Sequence, residues 1–358
     1  MAYYISSGVI STGITLYYDG MYISSGGVAN NTTVADGYMC ISNGGVANST
    51  TVNGNGNMYI SGGGVANSIT VGYGGVIRIY NGGIADSITI SGEWYGVGYL
   101  YVYSGGTATN LNWTPCVGSV YIEDGAYVTY LSNYSGVYLG SENQLLLHTS
   151  TKNNYYLNGS MYVMSGGSTY NITVSSASLL NVCSGGVVDR TSLWGKLHIS
   201  NGGVANSTMV SGGGNLHISN GGVANNTTVH NWGYLYVSSG GTANSTTVNE
   251  RGYLGVSSGG TANSTTVNSY GNLSISSGGV ANITTVTGNW HCYGSLTIFS
   301  GGVANSTTVN SYGNLSISSG GVANSTTVTG DWNCYGSLTI FSGGVANSTT
   351  VNSYGNLS

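Results

Sequence analysis

The side chains in this chain that could do chemistry recur on a schedule. The residue inside a repeating Leu-x-Ile pattern runs Tyr22, Cys40, Tyr59, Arg78, Tyr101, Tyr121, Tyr162, Asn181, His198, His217, Tyr236, Gly255, Ser274, Thr297, Ser316 and Thr339. Period-2 alternation puts that residue on the solvent side of a half-buried strand. Tyr22, Tyr59, Tyr101, Tyr121, Tyr162 and Tyr236 therefore form a tyrosine-rich face. Such a face suits binding, because tyrosine offers an amphipathic ring at low entropy cost. Stacked tyrosines also stabilise a parallel sheet without any ligand.

Other constellations are poor. His198 and His217 share a slot in successive copies of the pattern, but no third metal ligand accompanies them. The ten carboxylates are scattered, and a hydrolase or lyase needs acids and a base on one face. Asp86 and Asp189 stand where other copies carry Asn282 or Asn305, and read as corner variants. No catalytic residue, metal site or cofactor is expected, and the chain reads as non-enzymatic. Five Lys and Arg cannot neutralise a phosphate track, which argues against nucleic acid.

The elements that position these residues follow from a glycine pair. Its second member falls at Gly203, Gly222, Gly241, Gly260 and Gly279, in steps of 19, with steps of 23 into Gly106, Gly302 and Gly344. A fixed period of this length means stacked equivalent units. Within one unit, Leu273 and Ile275 alternate with serines as a first strand. Ser277-Gly278-Gly279 gives a tight corner, with both glycines available for positive φ. Val280-Ala281-Asn282 is a short second side, with Asn282 as the corner residue, and Thr284-Thr285-Val286 a third. Whether Val280 or Ala281 points inward stays open, because parity changes across a corner.

Loops this short leave no room for crossover helices, so each strand must pair in parallel with its equivalent one turn later. The fold class is an all-β parallel β-solenoid of about 17 rungs, about 80 Å long at a rise of ~4.8 Å. A single rung buries too few aliphatics to offset ordering its backbone; only stacking can. Residues 1–20 read as a degenerate capping rung and 21–358 as the array, irregular at about 126–160. The chain stops at Ser358 part-way along a strand, as a C-terminally truncated fragment would. The four-residue insertions carry Trp94, Trp290 and Trp332 and should bulge from one edge.

The cysteines Cys40, Cys116, Cys183, Cys292 and Cys334 are odd in number. Cys292 and Cys334 lie two rungs apart, roughly 9–10 Å, too far for a disulfide, and read as packing residues. No run approaches the roughly 18 apolar residues of a membrane-spanning helix. The opening MAYYISSGVISTGITLYYDG has neither the basic nor the apolar region of a signal peptide. The sequons at Asn48, Asn206, Asn244, Asn263, Asn305, Asn324 and Asn347 place their asparagines at corners and read as structural.

SGGVANSTTV, SGGTANSTTV and GYLYVSSGG (233–241) resemble the 19-residue passenger repeats of AIDA-type, self-associating autotransporter adhesins of Gram-negative bacteria. The resemblance implies a right-handed β-helix displayed at the cell surface or secreted. It implies self-aggregation, biofilm formation or adhesion to host cells and surface glycans, with other copies of the chain as partners. Some members carry heptose on Ser and Thr, which makes Ser245, Thr246, Ser264, Thr265, Ser306 and Thr307 candidate acceptors. The family's signal peptide and C-terminal barrel are not seen in these residues. Two other readings compete: an ice-binding solenoid using outward Thr ladders, and a passive spacer for a further C-terminal module.

Overall fold

The computed structural model describes residues 2–358 except 94–95, 115–117, 124, 132–134, 142–143, 183–184, 201 and 291. Side chains at 92–97 and 141–146 are also outside the description. The described residues form strands and turns with no helix, wound as a parallel β-solenoid of about 18 turns. The chain divides into two compact units, 1–134 with 138–147, and 135–137 with 148–358.

In the second unit each rung has a short strand and a long one, as in Asn272–Ile275 and Val280–Val286. Each pairs in parallel with its equivalent: Ile275 lies opposite Ile298, and Val256 opposite Ile275. Register survives the longer rungs because the extra residues are looped out. Asn289 and Cys292 exchange backbone hydrogen bonds of 3.0 and 2.9 Å, as Asp331 and Cys334 do at 2.9 and 2.8 Å. The loops lift Trp290 and Trp332 into solvent at 72% and 76% exposure. Trp94 lies outside the described residues.

The parity question is answered by exposure. Leu273, Ile275, Ala281 and Val286 are fully buried and Thr284 is 1% exposed, while Val280, Asn282 and Thr285 face outward. Alternation alone would not put both Ala281 and Thr284 inside. The residue between them resets it: Ile283 has φ 53°, and its equivalents Ser264 and Ser306 have 54° and 52°. A left-handed residue there turns the chain without breaking the ladder. The expected second and third sides are thus one bent strand, and the left-handed residue is the one after the asparagine, not the asparagine.

The glycine pair also divides its labour. Ser277 (φ 45°) and Gly278 (φ 82°) are the left-handed pair, and the Gly279 amide donates to the Ser276 carbonyl at 2.8 Å to close the turn. That is the φ pattern of a type I′ turn. Gly279 itself does not have positive φ; a Cβ there would collide with the Val256 carbonyl of the preceding rung. Positive φ therefore accounts for only the first glycine. The corner amides stay in the ladder, with Ser277 donating to Ser300 and Gly278 to Gly301 at 2.9 and 2.7 Å.

The first unit repeats the scheme. Its short strands run Ala2–Ile5, Gly20–Ile23, Tyr38–Ile41, Asn57–Ile60, Val76–Ile79, Tyr99–Val102 and Ser119–Ile122, in that spatial order. The first copy is already in register, with Ile5 opposite Ile23. At Tyr127–Tyr130 the pairing to Thr107–Leu111 slips register between Ala108 and Leu111. The exchange between the two units falls just beyond this slip.

Candidate adhesive faces

The short strands carry the tyrosine face. In the first unit the register runs Tyr4–Tyr22–Cys40–Tyr59–Arg78–Tyr101–Tyr121, one residue per rung. Tyr4 and Tyr22 stack with centroids 5.2 Å apart and planes 9° off parallel. Tyr101 contacts Tyr121 at 6.0 Å. The Arg78 guanidinium lies over both Tyr59 and Tyr101, at 5.6 and 5.4 Å, and donates to Asn57 Oδ1 at 2.9 Å. Tyr80 and Tyr103, at the end of the same strands, stack at 4.8 Å. Column residues therefore brace each other and still present ring edges to solvent, with Tyr121 53% exposed.

Tyr22 and Tyr38 hydroxyls meet at 2.8 Å. That hydrogen bond, then partial desolvation and neighbouring phenols, pushes the Tyr22 pKa up to about 12. A raised phenol pKa favours the fold below the ordinary value of about 10, and the contribution is lost as pH climbs through the raised one. Ultraviolet titration should show a late-ionising component that shrinks in Tyr38→Phe; an unchanged profile would dismiss the contact.

In the second unit the column runs Tyr162, Asn181, His198, His217, Tyr236, Gly255 and Ser274, again in register. His198 and His217 meet edge-on at 5.3 Å, and His217 stacks on Tyr236 at 4.9 Å. Desolvation, then the charges of His217 and Lys196, lowers the His198 pKa from its usual value. Among the described residues no three of His, Cys, Asp and Glu come together as a metal site.

The hydroxyl candidates separate by depth. Ser245, Ser264 and Ser306 are exposed at the left-handed position. Thr246, Thr265 and Thr307 are each 1% exposed and point into the core, so the acceptor expectation fails for them on access. Only the second Thr of each pair faces out, as Thr247, Thr266 and Thr308 do.

The asparagines form a ladder. Asn225, Asn244, Asn263, Asn282, Asn305, Asn324 and Asn347 each donate from Nδ2 to the Oδ1 of the preceding copy at 2.9 Å. The sequon asparagines Asn244, Asn263, Asn305, Asn324 and Asn347 thus use their amides to hold register, as Asn48 does toward Asn30, while Asn206 accepts from Asn225. Asp86 cannot donate, and instead accepts from Thr109 Oγ1 and Asn110 Nδ2 of the next rung and from Ser87. Those bonds, Thr109's first, lower its pKa. It stands at the asparagine position, opposite Asn67, and serves there as a ladder acceptor.

Cysteine roles also differ from expectation. Cys40, Cys292 and Cys334 are free thiols, and Cys334 Sγ donates to Tyr312 Oη at 3.0 Å. It is a hydrogen-bonding residue that fastens its insertion to the rung below. Cys116 and Cys183 lie outside the described residues.

One group escaped the reading of the sequence: Trp232, Tyr270, Tyr293, Tyr312, Tyr335 and Tyr354, each just before the glycine that opens a short strand. The recurring SYG and CYG tripeptides were the available signal.

Residues 194–252 match the family described as adhesin of bacterial autotransporter system, probable stalk. The matched segment contains GYLYVSSGG (233–241), one of the strings that carry the resemblance to AIDA-type repeats. The chain is also similar to a crystallised, TibC-catalysed hyper-glycosylated fragment of TibA, with 29% identity over 92% of this chain and 96% of that one, at a TM-score of 0.46. None of the curated proteins compared with the chain matches it. No helix among the described residues is long and apolar enough to cross a membrane.

Proposed function

We propose that this chain is the adhesive stalk of a surface-displayed or secreted bacterial adhesin. It works without enzymatic chemistry, by self-association between copies on neighbouring cells and by contact with host or glycan surfaces. The observation that carries the reading is the registered tyrosine face of the first unit, supported by the stalk-family match at 194–252. A face of repeated weak contacts binds by avidity, so many modest patches add up. A chain with 4% charged residues offers little self-repulsion to oppose association. Exposed Ser245, Ser264 and Ser306 are the positions where O-linked sugar is expected, and intact mass from the native host would reveal it. An ice-binding role has only the outward Thr of each pair to draw on, since its neighbour is buried.

The test is Tyr59→Ser with Tyr101→Ser and Tyr121→Ser. Cells displaying the triple variant should no longer aggregate, while the purified chain keeps its β-sheet circular dichroism. Aggregation that persists with the fold intact would refute the face.

A further inference from the structure

The turn entering each short strand of the second unit carries a second aromatic column, on a different edge from the tyrosine face. Trp232, Arg251, Tyr270, Tyr293, Tyr312, Tyr335 and Tyr354 occupy one position in successive rungs. Backbone bonds fix the equivalence: Arg251 donates to the Tyr270 carbonyl at 3.1 Å, Tyr270 to Tyr293 at 3.0 Å and Tyr312 to Tyr335 at 3.0 Å. The rings follow one another, Tyr293–Tyr312 at 6.0 Å and Tyr335–Tyr354 at 6.4 Å. Arg251 bridges Trp232 and Tyr270 by lying 5.1 and 5.8 Å from their rings.

This placement is costly. Trp232, Tyr270, Tyr312 and Tyr354 have φ of 63°, 59°, 57° and 57°. Bulky side chains rarely adopt that region, and such strain gathers where function holds it. The fold does not require aromatics there: the same turn position holds Asn55, Gly74 and Gly213, for which positive φ is cheap. Nor does burial explain them, since Trp232, Tyr270, Tyr293 and Tyr335 are 50–59% exposed. The insertions add Trp290 and Trp332 beside the column, fastened by Cys334 to Tyr312 and by Cys292 to Tyr270.

We propose that this corner column is a binding edge for an extended, uncharged polysaccharide lying along the stacking direction of the rungs. The proposal rests on the adhesive reading above and names one ligand class and its site. Rungs recur about every 4.8 Å and the ring centroids stand 6.0 and 6.4 Å apart, spacings that bracket the advance per sugar of an extended β-linked hexose chain. Sugar C–H faces stack on such rings, and the lone Asp331 among Asp, Glu, Lys and Arg from 252 to 358 leaves nothing to pair with a charged polymer. Hydroxyl and carboxylate groups flank the rings, with Ser311 Oγ donating to Asp331 Oδ2 at 2.9 Å. They supply the hydrogen bonds that orient a sugar.

The experiment uses the full chain and a variant carrying Tyr270→Asn, Tyr293→Asn, Tyr312→Asn and Tyr335→Asn. Asparagine suits the left-handed turn at Tyr270 and Tyr312, and Tyr293 and Tyr335 are exposed, so the variant should fold as the parent does. The probes are cellohexaose, read by tryptophan fluorescence, and insoluble β-1,4-glucan, read by co-sedimentation. The parent should bind both, and the variant should lose about tenfold or more in apparent affinity while still aggregating through the tyrosine face. A parent that binds neither probe, or a variant that binds as well as the parent, overturns the proposal. A variant that loses aggregation while the parent ignores glucan makes the edge a contact between copies and also overturns it. Loss of aggregation in the Tyr59, Tyr101 and Tyr121 variant is a separate readout and leaves glucan binding untouched.

Discussion

Gly279→Ala should cost about 3 kcal/mol or more of local stability, because the new methyl meets backbone and not a movable side chain. The nearest atoms are the Val256 carbonyl and the Ser257 nitrogen, both in the rung before. Relief requires parting two rungs at a corner where Val280 still donates to Gly260 at 3.0 Å. Gly278→Asn is the control. Its Cβ would meet only the Gly259 nitrogen at 3.7 Å, and asparagine tolerates φ of 82°, so the expected cost is about 1 kcal/mol. Hydrogen exchange of the flanking short strands measures both. Equal effects at the two glycines would show that φ, not rung spacing, explains the pair.

The second large effect has the opposite sign. Thr246, Thr265, Thr284, Thr307 and Thr326 stack in register inside the solenoid, each 1% exposed, and none of their hydroxyls has a hydrogen-bond partner. Burying a hydroxyl without a partner costs more than burying a methyl of the same shape. Replacing all five by Val should raise stability by about 1 kcal/mol per site, seen as slower exchange across those rungs and a higher unfolding temperature. Thr266→Val and Thr285→Val, on the outer surface of the same strands, should change little. A destabilised interior variant would mean that those hydroxyls are satisfied by something the packing does not reveal.

How much of this was legible beforehand depends on whether the signal was periodic or conformational. The pairing of Ile275 with Ile298 followed from the glycine schedule, since a repeat of fixed length that cannot hide its apolar side chains alone must stack. The outward column from Tyr22 to Thr339 followed from period-2 alternation. Alternation fails once a left-handed residue intervenes, which is why the orientation of Ala281 and Thr284 and the burial of Thr246, Thr265 and Thr307 could not be read off. Asparagine's tolerance of the left-handed region pointed to the wrong residue. Stacking rewards Asn282 more as a ladder amide, and the bend passes to its neighbour. The corner aromatics stayed hidden because turn positions are ordinarily given to Gly, Asn and Ser, and the eye assigns SYG to a loop.

The most direct test of in-register winding is a series of dipolar distances between spin labels, one fixed at Thr247 and the other at Thr266, Thr285, Thr308 or Thr327. These residues are successive partners in the long sheet, and the step from Thr285 to Thr308 includes a four-residue insertion. The winding predicts equal increments of about 4.8 Å per step, the inserted one included. Increments that grow with the number of intervening residues, or a distance that shortens along the series, would contradict it.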